Sequence, residues 1–154
     1  LSKFTSIEIQ VLQTVKEAVK NANLICTLTG TKEPIVKGDW LIAGCHINAV
    51  GACSPTTREL DSDAILKSKL FVDSRESALN EAGEFIIPAS EGLINEAHIA
   101  GELGEVLGGK IKGRTDQNQI TLFKSLGMAV EDVVAAQHIY NTALKNDKGV
   151  WIDI

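Results

Sequence analysis

The chain has 154 residues, 44% hydrophobic and 23% charged, with a formal net charge of −5 and three cysteines. That length serves one domain with a real core, and the acidic balance argues against a nucleic-acid surface. No apolar run approaches the ~20 residues of a membrane helix, Leu1-Ser2-Lys3 lacks a signal-peptide layout, and Cys26, Cys45 and Cys53 form no Cys-x-x-Cys pair, so reduced thiols in the cytoplasm are expected.

In chain order, Ile7, Ile9 and Val11 alternate with Glu8 and Gln10, the period of a half-buried strand. The period then lengthens. Thr14 and Glu17 form a capping box, and Val11, Val15, Ala18 and Val19 share a helical face that stops at Asn21-Ala22-Asn23. Leu24 to Leu28 follows as a short buried strand, which makes a compact βαβ unit. Pro34 and Gly38 punctuate a connection with a helical turn near Asp39-Trp40-Leu41, and residues 46–50 read as the next strand. Asp61 or Ser62 caps a helix through Ser68, Leu70 to Asp73 is a strand, and Ser74 caps a helix from Arg75 to Glu81 ended by Gly83.

Pro88 and Gly92 argue for loop over residues 84–95. His98 to Leu107 reads as a helix despite Gly101 and Gly104, each costing ~1 kcal/mol against Ala. The basic run Lys110 to Arg114 is expected to be a solvated loop. Residues 119–124 supply a last strand. From Met128 to Leu144, Val130, Val133, Ala136, Tyr140 and Ala143 recur at helical steps, so a long amphipathic helix must lay its apolar stripe on something. Alternating β and α units define an α/β fold with a mostly parallel sheet.

In an open α/β sheet, ligands bind at the carboxyl ends of the strands. That edge collects Thr27-Leu28-Thr29-Gly30, Val50-Gly51-Ala52-Cys53, Asp73-Ser74 and Lys124-Ser125-Leu126-Gly127. Backbone amides, hydroxyls and small residues there would admit a flat heteroaromatic ring, although ordinary strand-to-loop endings have the same composition. Thr27 and Thr29 are read as facing opposite ways before the turn at Gly30, leaving one to touch a ligand. Phosphate machinery is missing from the chain. No Gly-x-Gly-x-x-Gly follows a strand, Gly101-Glu102-Leu103-Gly104 has the wrong spacing, and no Walker-type loop occurs.

Ala22 to Ile35, Gly38-Asp39-Trp40-Leu41, His46 to Ala52 and Arg58 to Asp61 resemble the ornithine cyclodeaminase/mu-crystallin family. So do Phe71 to Ser74, Gly101 to Val106 and Phe123 to Asp132, in order, from about residue 7 to residue 144. The resemblance implies part of a Rossmann-like domain over residues 1–126. Residues 127–154 would be a helix and tail packing toward an N-terminal substrate and dimerisation domain. That domain, the glycine-rich loop, a substrate-carboxylate Arg and a catalytic Lys would all precede Leu1. It further implies a homodimeric NAD(P)-dependent enzyme acting on imino or amino acids, with NADPH or NADH as cofactor. Thr27, Leu28, Thr29, Val50, Gly51, Ser125 and Leu126 would line the cofactor, while Cys53 and Glu81 face the substrate.

The family's cyclodeaminases carry an Asp just after the Val-Gly-Gly turn, where this chain has Cys53. A thiol is a poor substitute for an acid/base carboxylate. The resemblance therefore points to the ketimine reductase branch. Ornithine cyclodeamination, amino-acid dehydrogenation, and binding of a small aromatic ligand such as thyroid hormone without turnover are the alternatives, and the 154-residue chain by itself is expected to be inactive.

Among single residues, Cys53 reads as a pocket-lining thiol rather than a nucleophile. His46 reads as a structural histidine. His98 and His138 have no partner at metal-ligand spacing, so no metal site is expected. Glu102 and Glu105 read as solvated surface rather than a paired acid/base device. Trp40 is expected in the core and Trp151 exposed. No residue of the chain is assigned as the catalytic acid or base.

Overall fold

The structure, a computed structural model, describes residues 8–152. Five strands form one sheet: β1 (Leu24–Thr27), β2 (His46–Ala49), β3 (Ser68–Val72), β4 (Ile99–Glu102) and β5 (Ile120–Lys124). Their spatial order is β1-β2-β5-β3-β4, and every pairing among the described residues is parallel. Register fixes what faces what. Ile25, Ile47, Leu122 and Leu70 lie in one row across the sheet, and Thr27, Ala49, Lys124 and Val72 in the next. These two rows form the covered face, where Ile47, Leu122, Leu70 and Val72 are buried. Each such side chain contributes roughly 1.5–3 kcal/mol on leaving water.

Helices α2 (Ser62–Lys67), α3 (Arg75–Glu81) and α4 (Gly83–Ser90) pack together with a 3-10 turn at Gly38–Trp40. Their starts are chemically specified. Asp61 Oδ1 accepts the Ala64 amide at the head of α2 and also the Gly38 amide, both at 2.9 Å. Ser74 caps α3 through the Ser77 amide. Thr14 and Glu17 close the expected capping box on α1 (Val15–Val19), and Asn21, in a left-handed conformation at φ 61°, ends the path out of it.

Four expectations are corrected. Residues 8–13 form no strand, and Val11 is 89% exposed, so no βαβ unit opens the described chain; Ile7 lies outside the described residues. Residues 84–95 are not all loop, because α4 occupies Gly83–Ser90. Pro88 sits inside it, its ring buried, and the helix is short enough that only the Glu84 carbonyl loses a helical donor. The helix expected over His98 to Leu107 is instead a 3-10 turn (Glu96–His98), strand β4 and a short α5 (Leu103–Leu107). Pairing with β3 satisfies the backbone of Ile99, Gly101 and Glu102, outweighing a helical pattern already weakened by two glycines. Lastly, the basic run is not wholly solvated. Arg114 donates to the Cys45 carbonyl at 3.2 Å and to Thr121 Oγ1 at 2.8 Å.

The long helix α6 (Ala129–Lys145) forms as expected, and none of its residues is buried. Trp40 is half-buried against the core and Trp151 is exposed.

Candidate functional site

Because all strands run the same way, their carboxyl ends stand side by side. Thr27, Ala49, Lys124 and Val72 are register partners. The turns that follow them therefore share one rim: Leu28-Thr29, Val50-Gly51, Ser125-Leu126 and Asp73-Ser74. Val50 donates to the Thr27 carbonyl at 3.0 Å and Ser125 to the Ala49 carbonyl at 3.0 Å, extending the ladder one step past the strands. Leu28 stands out from the rim at 69% exposure, Val50 is partly exposed and Leu126 half-buried.

Beneath the rim lies a layer of buried polar groups. Glu59 is fully buried and accepts four bonds, from Thr27 Oγ1 (2.7 Å), the Thr29 amide (2.5 Å), Thr29 Oγ1 (2.8 Å) and the Gly51 amide (2.9 Å). Burial pushes its carboxyl up, but the bonds from Thr27, Thr29 and Gly51 together bring it below the ordinary glutamate value. Gly51 has to be glycine here. A methyl group would overlap the Thr29 amide and carbonyl and press on Glu59 Oε1. Asp73, also buried, gathers the other end. Its Oδ2 accepts the amides of Leu126 (2.6 Å) and Gly127 (2.7 Å) and the Ser125 hydroxyl (3.4 Å).

Two further ionisable groups complete the layer. Glu84, at the start of α4, accepts the Glu59 amide at 2.8 Å. Lys124, 1% exposed, donates to the carbonyls of Ala49 (3.3 Å) and Ser125 (3.0 Å) and stands 3.8 Å from Glu84 Oε2. Burial pushes the Glu84 carboxyl up, with the Lys124 charge opposing.

This layer changes the expected roles. Thr27 and Thr29 do not face opposite ways: they are two residues apart in extended chain, so both hydroxyls point to the covered face and both serve Glu59. The amides of Thr29, Gly51, Leu126 and Gly127 are likewise engaged by carboxylates, so none is left over for a ligand. What faces outward is the apolar ledge of Leu28 and Val50, whereas Leu126 is half-buried and packs against the core. A flat ring fits such a ledge. A phosphate does not, because the amides of Thr29, Gly51, Leu126 and Gly127 are held by carboxylates and Lys124 points inward.

Of the two residues expected to face substrate, Cys53 is exposed, its thiol donating to the Val50 carbonyl at 3.5 Å. Glu81 is exposed at the end of α3 and makes no hydrogen bond or ion pair with the rim among the described residues. Their segments nevertheless abut, because Gly83 packs so tightly on the carbonyls of Ser54 and Thr57 that a Cβ would not fit. His46 is structural, as expected, bridging Thr121 Oγ1 (2.7 Å) and Asn48 Oδ1 (3.1 Å). Glu102 and Glu105 hold backbone amides at the α3 and α5 starts, Arg75 at 2.8 Å and Glu102 at 3.0 Å. No group of three potential metal ligands occurs among the described residues.

A cavity of about 580 Å³ lies away from the rim, on the open face of the sheet. His46, Asn48, Phe71, Thr121 and Phe123 form its floor and α5 one wall. His46, Arg114 and Thr121 bond one another or the backbone, so this cavity offers little unmet polar chemistry.

Local sequence does not mark Glu59, Glu84 or Lys124 as site residues. The family strings contained Arg58-Glu59-Leu60-Asp61 and Phe123-Lys124-Ser125, but nothing local reveals a carboxylate whose donors lie 8 to 32 residues away.

The model of the ornithine cyclodeaminase/mu-crystallin family matches residues 1–147. The chain belongs to this family. Mouse (Mus musculus) ketimine reductase mu-crystallin is 45% identical over 135 residues, 88% of this chain and 40% of that protein. A Delta(1)-pyrroline-2-carboxylate reductase of Bacillus cereus is 41% identical over 138 residues, 89% of this chain and 42% of that protein. Among solved structures, the Thermococcus litoralis Delta(1)-pyrroline-2-carboxylate reductase in complex with NADH and L-proline superposes with a TM-score of 0.92. It is 45% identical, and the match covers 98% of this chain and 47% of that one. The chain thus spans under half the length of these relatives. Like others of this family, it has a Rossmann-like sheet with flanking helices, and the expected fold class stands.

Proposed function

We propose that this chain carries the nicotinamide end of an NAD(P)H-dependent reductase of imino acids. The single observation that supports this most is the exposed apolar pair Leu28 and Val50 on a rim where Glu59 and Asp73 already hold the amides of Thr29, Gly51, Leu126 and Gly127. The cofactor, NADH or NADPH, supplies the hydride. The chain's residues seat and desolvate the ring. Leu28, Val50 and Leu126 contact it, Thr29, Gly51 and Ser125 hold the ledge in shape, and Thr27 works one layer below. Cys53 and Glu81, on abutting segments, border the space for a small imino or amino acid.

Reduction is favoured over cyclodeamination by Cys53, which occupies the turn where an acid/base carboxylate would be needed; Ala52 beside it is buried. In this reading residues 127–154 pack on a second domain of the intact protein, which works as a homodimer in the cytoplasm. Nucleic acid and membrane are not partners. No helix of the described residues is long and apolar enough to cross a membrane.

The test uses the intact protein with NADH or NADPH and Delta(1)-pyrroline-2-carboxylate, followed by loss of reduced-nicotinamide absorbance. Stoichiometric formation of proline is expected. Ammonia release from ornithine without consumption of reduced cofactor would replace this reading with cyclodeamination. Tight retention of an aromatic ligand without turnover would replace it with a binding role.

A further inference from the structure

Resting on that reading, we propose that Lys124 is a positioning residue: from inside the core it sets the spacing of the Val50 and Ser125-Leu126 turns that bear the ring. Beside the backbone bond from the Ser125 amide to the Ala49 carbonyl, its ammonium is a side-chain group that touches both sides of this junction. It donates to the carbonyl of Ala49, the last residue of β2, and to that of Ser125, the first residue beyond β5. Through Glu84 the same cluster reaches Glu59, and through Glu59 the Thr29 and Gly51 turns. One buried chain of contacts thus joins the ends of β1, β2 and β5.

Stability is a poor explanation for this arrangement. Both Lys124 and Glu84 have side chains only 1% exposed, and Glu84 Oε2 has no hydrogen-bond partner. Desolvating two charges costs more than an imperfect contact at 3.8 Å returns, and apolar side chains of similar volume would pack the same space more cheaply. What an apolar side chain cannot do is hold two carbonyls from neighbouring strand ends at fixed separation. The return is geometric.

Three variants of the intact protein separate the two roles: Lys124→Met, Glu84→Gln, and both together. Each single change leaves the opposite partner unbalanced in the core, so its melting temperature should fall. The double variant removes both charges and should recover most of that loss. If Lys124 positions the turns, the double variant still exchanges its Ser125 amide with solvent about tenfold faster. It also binds NADH about tenfold more weakly, the loss of one to two hydrogen bonds. Recovery of exchange protection and of NADH affinity along with stability would reduce Lys124 to a structural role and overturn the proposal. So would a Lys124→Met protein with unchanged exchange and affinity. Should the unaltered protein bind neither NADH nor NADPH, the functional reading fails, while the exchange measurement still decides whether Lys124 sets the turns.

Discussion

Four donors on two segments converge on the one carboxylate of Glu59, and a single methyl group at Gly51 would intrude on that convergence. Gly51→Ala is therefore expected to displace the Thr29 turn. Overpacking of this kind costs about 1–3 kcal/mol, read as a lower denaturant midpoint, together with weaker binding of reduced nicotinamide by fluorescence titration.

Glu59→Gln tests the electrostatics of the same spot. An amide nitrogen would face the fixed Gly51 or Thr29 donors, so a loss of roughly 1–3 kcal/mol is expected at neutral pH. The glutamate's folded value is depressed, so its contribution is complete above the unfolded value of about 4.3 and disappears as pH falls through the folded value. The stability gap between the natural protein and the variant should close on acidification, measured by urea unfolding from neutral to acid pH. Glu84 acts with the opposite sign. Its folded value is raised, so stability declines as pH climbs from the unfolded value toward the folded one, and Glu84→Gln removes that slope.

At the scale of elements, caps and periods carried most of the information. The Thr14 box, the Asp61 and Ser74 caps and strands β1, β2, β3 and β5 all lie where local chemistry placed them. Asp61 does more than cap, since its Oδ1 also accepts the Gly38 amide. Asp61→Ala should thus cost more than the ~1 kcal/mol of a lost N-cap, and faster amide exchange should appear at both Gly38 and Ala64. An effect confined to Ala64 would show that the 38–40 turn stands without it. The elements misread were those whose partners are distant. β4 is a strand because β3 offers it an edge, and α4 is a helix because its residues pack on α2 and α3 in spite of Pro88.

At the scale of the molecule, α6 carries an apolar stripe that no described residue buries. Val133 and Ile139 are each 66% exposed, against the usual economy of soluble surfaces. If, as proposed above, this helix packs on another domain, Ile139→Asp in the intact protein should destabilise by about 2–5 kcal/mol, the range for losing a buried apolar side chain. In the 154-residue chain alone, the same change should be nearly neutral. Paired thermal-denaturation measurements check this, and equal effects in both would show that the stripe is uncovered in each.

By itself, the sequence determined the alternation of strands and helices, the family, and the short segments that meet at the rim. Those depend on residues within a turn or two of one another, or on strings long enough to be specific. Only the tertiary structure decided that Glu59 and Asp73 already take up the hydroxyls of Thr27, Thr29 and Ser125 and the amides of Thr29, Gly51, Leu126 and Gly127. Glu59, Asp73, Glu84 and Lys124 acquire their meaning from partners that parallel strand pairing brings across the sheet. A buried charge is defined by what surrounds it in space, and no local pattern encodes that.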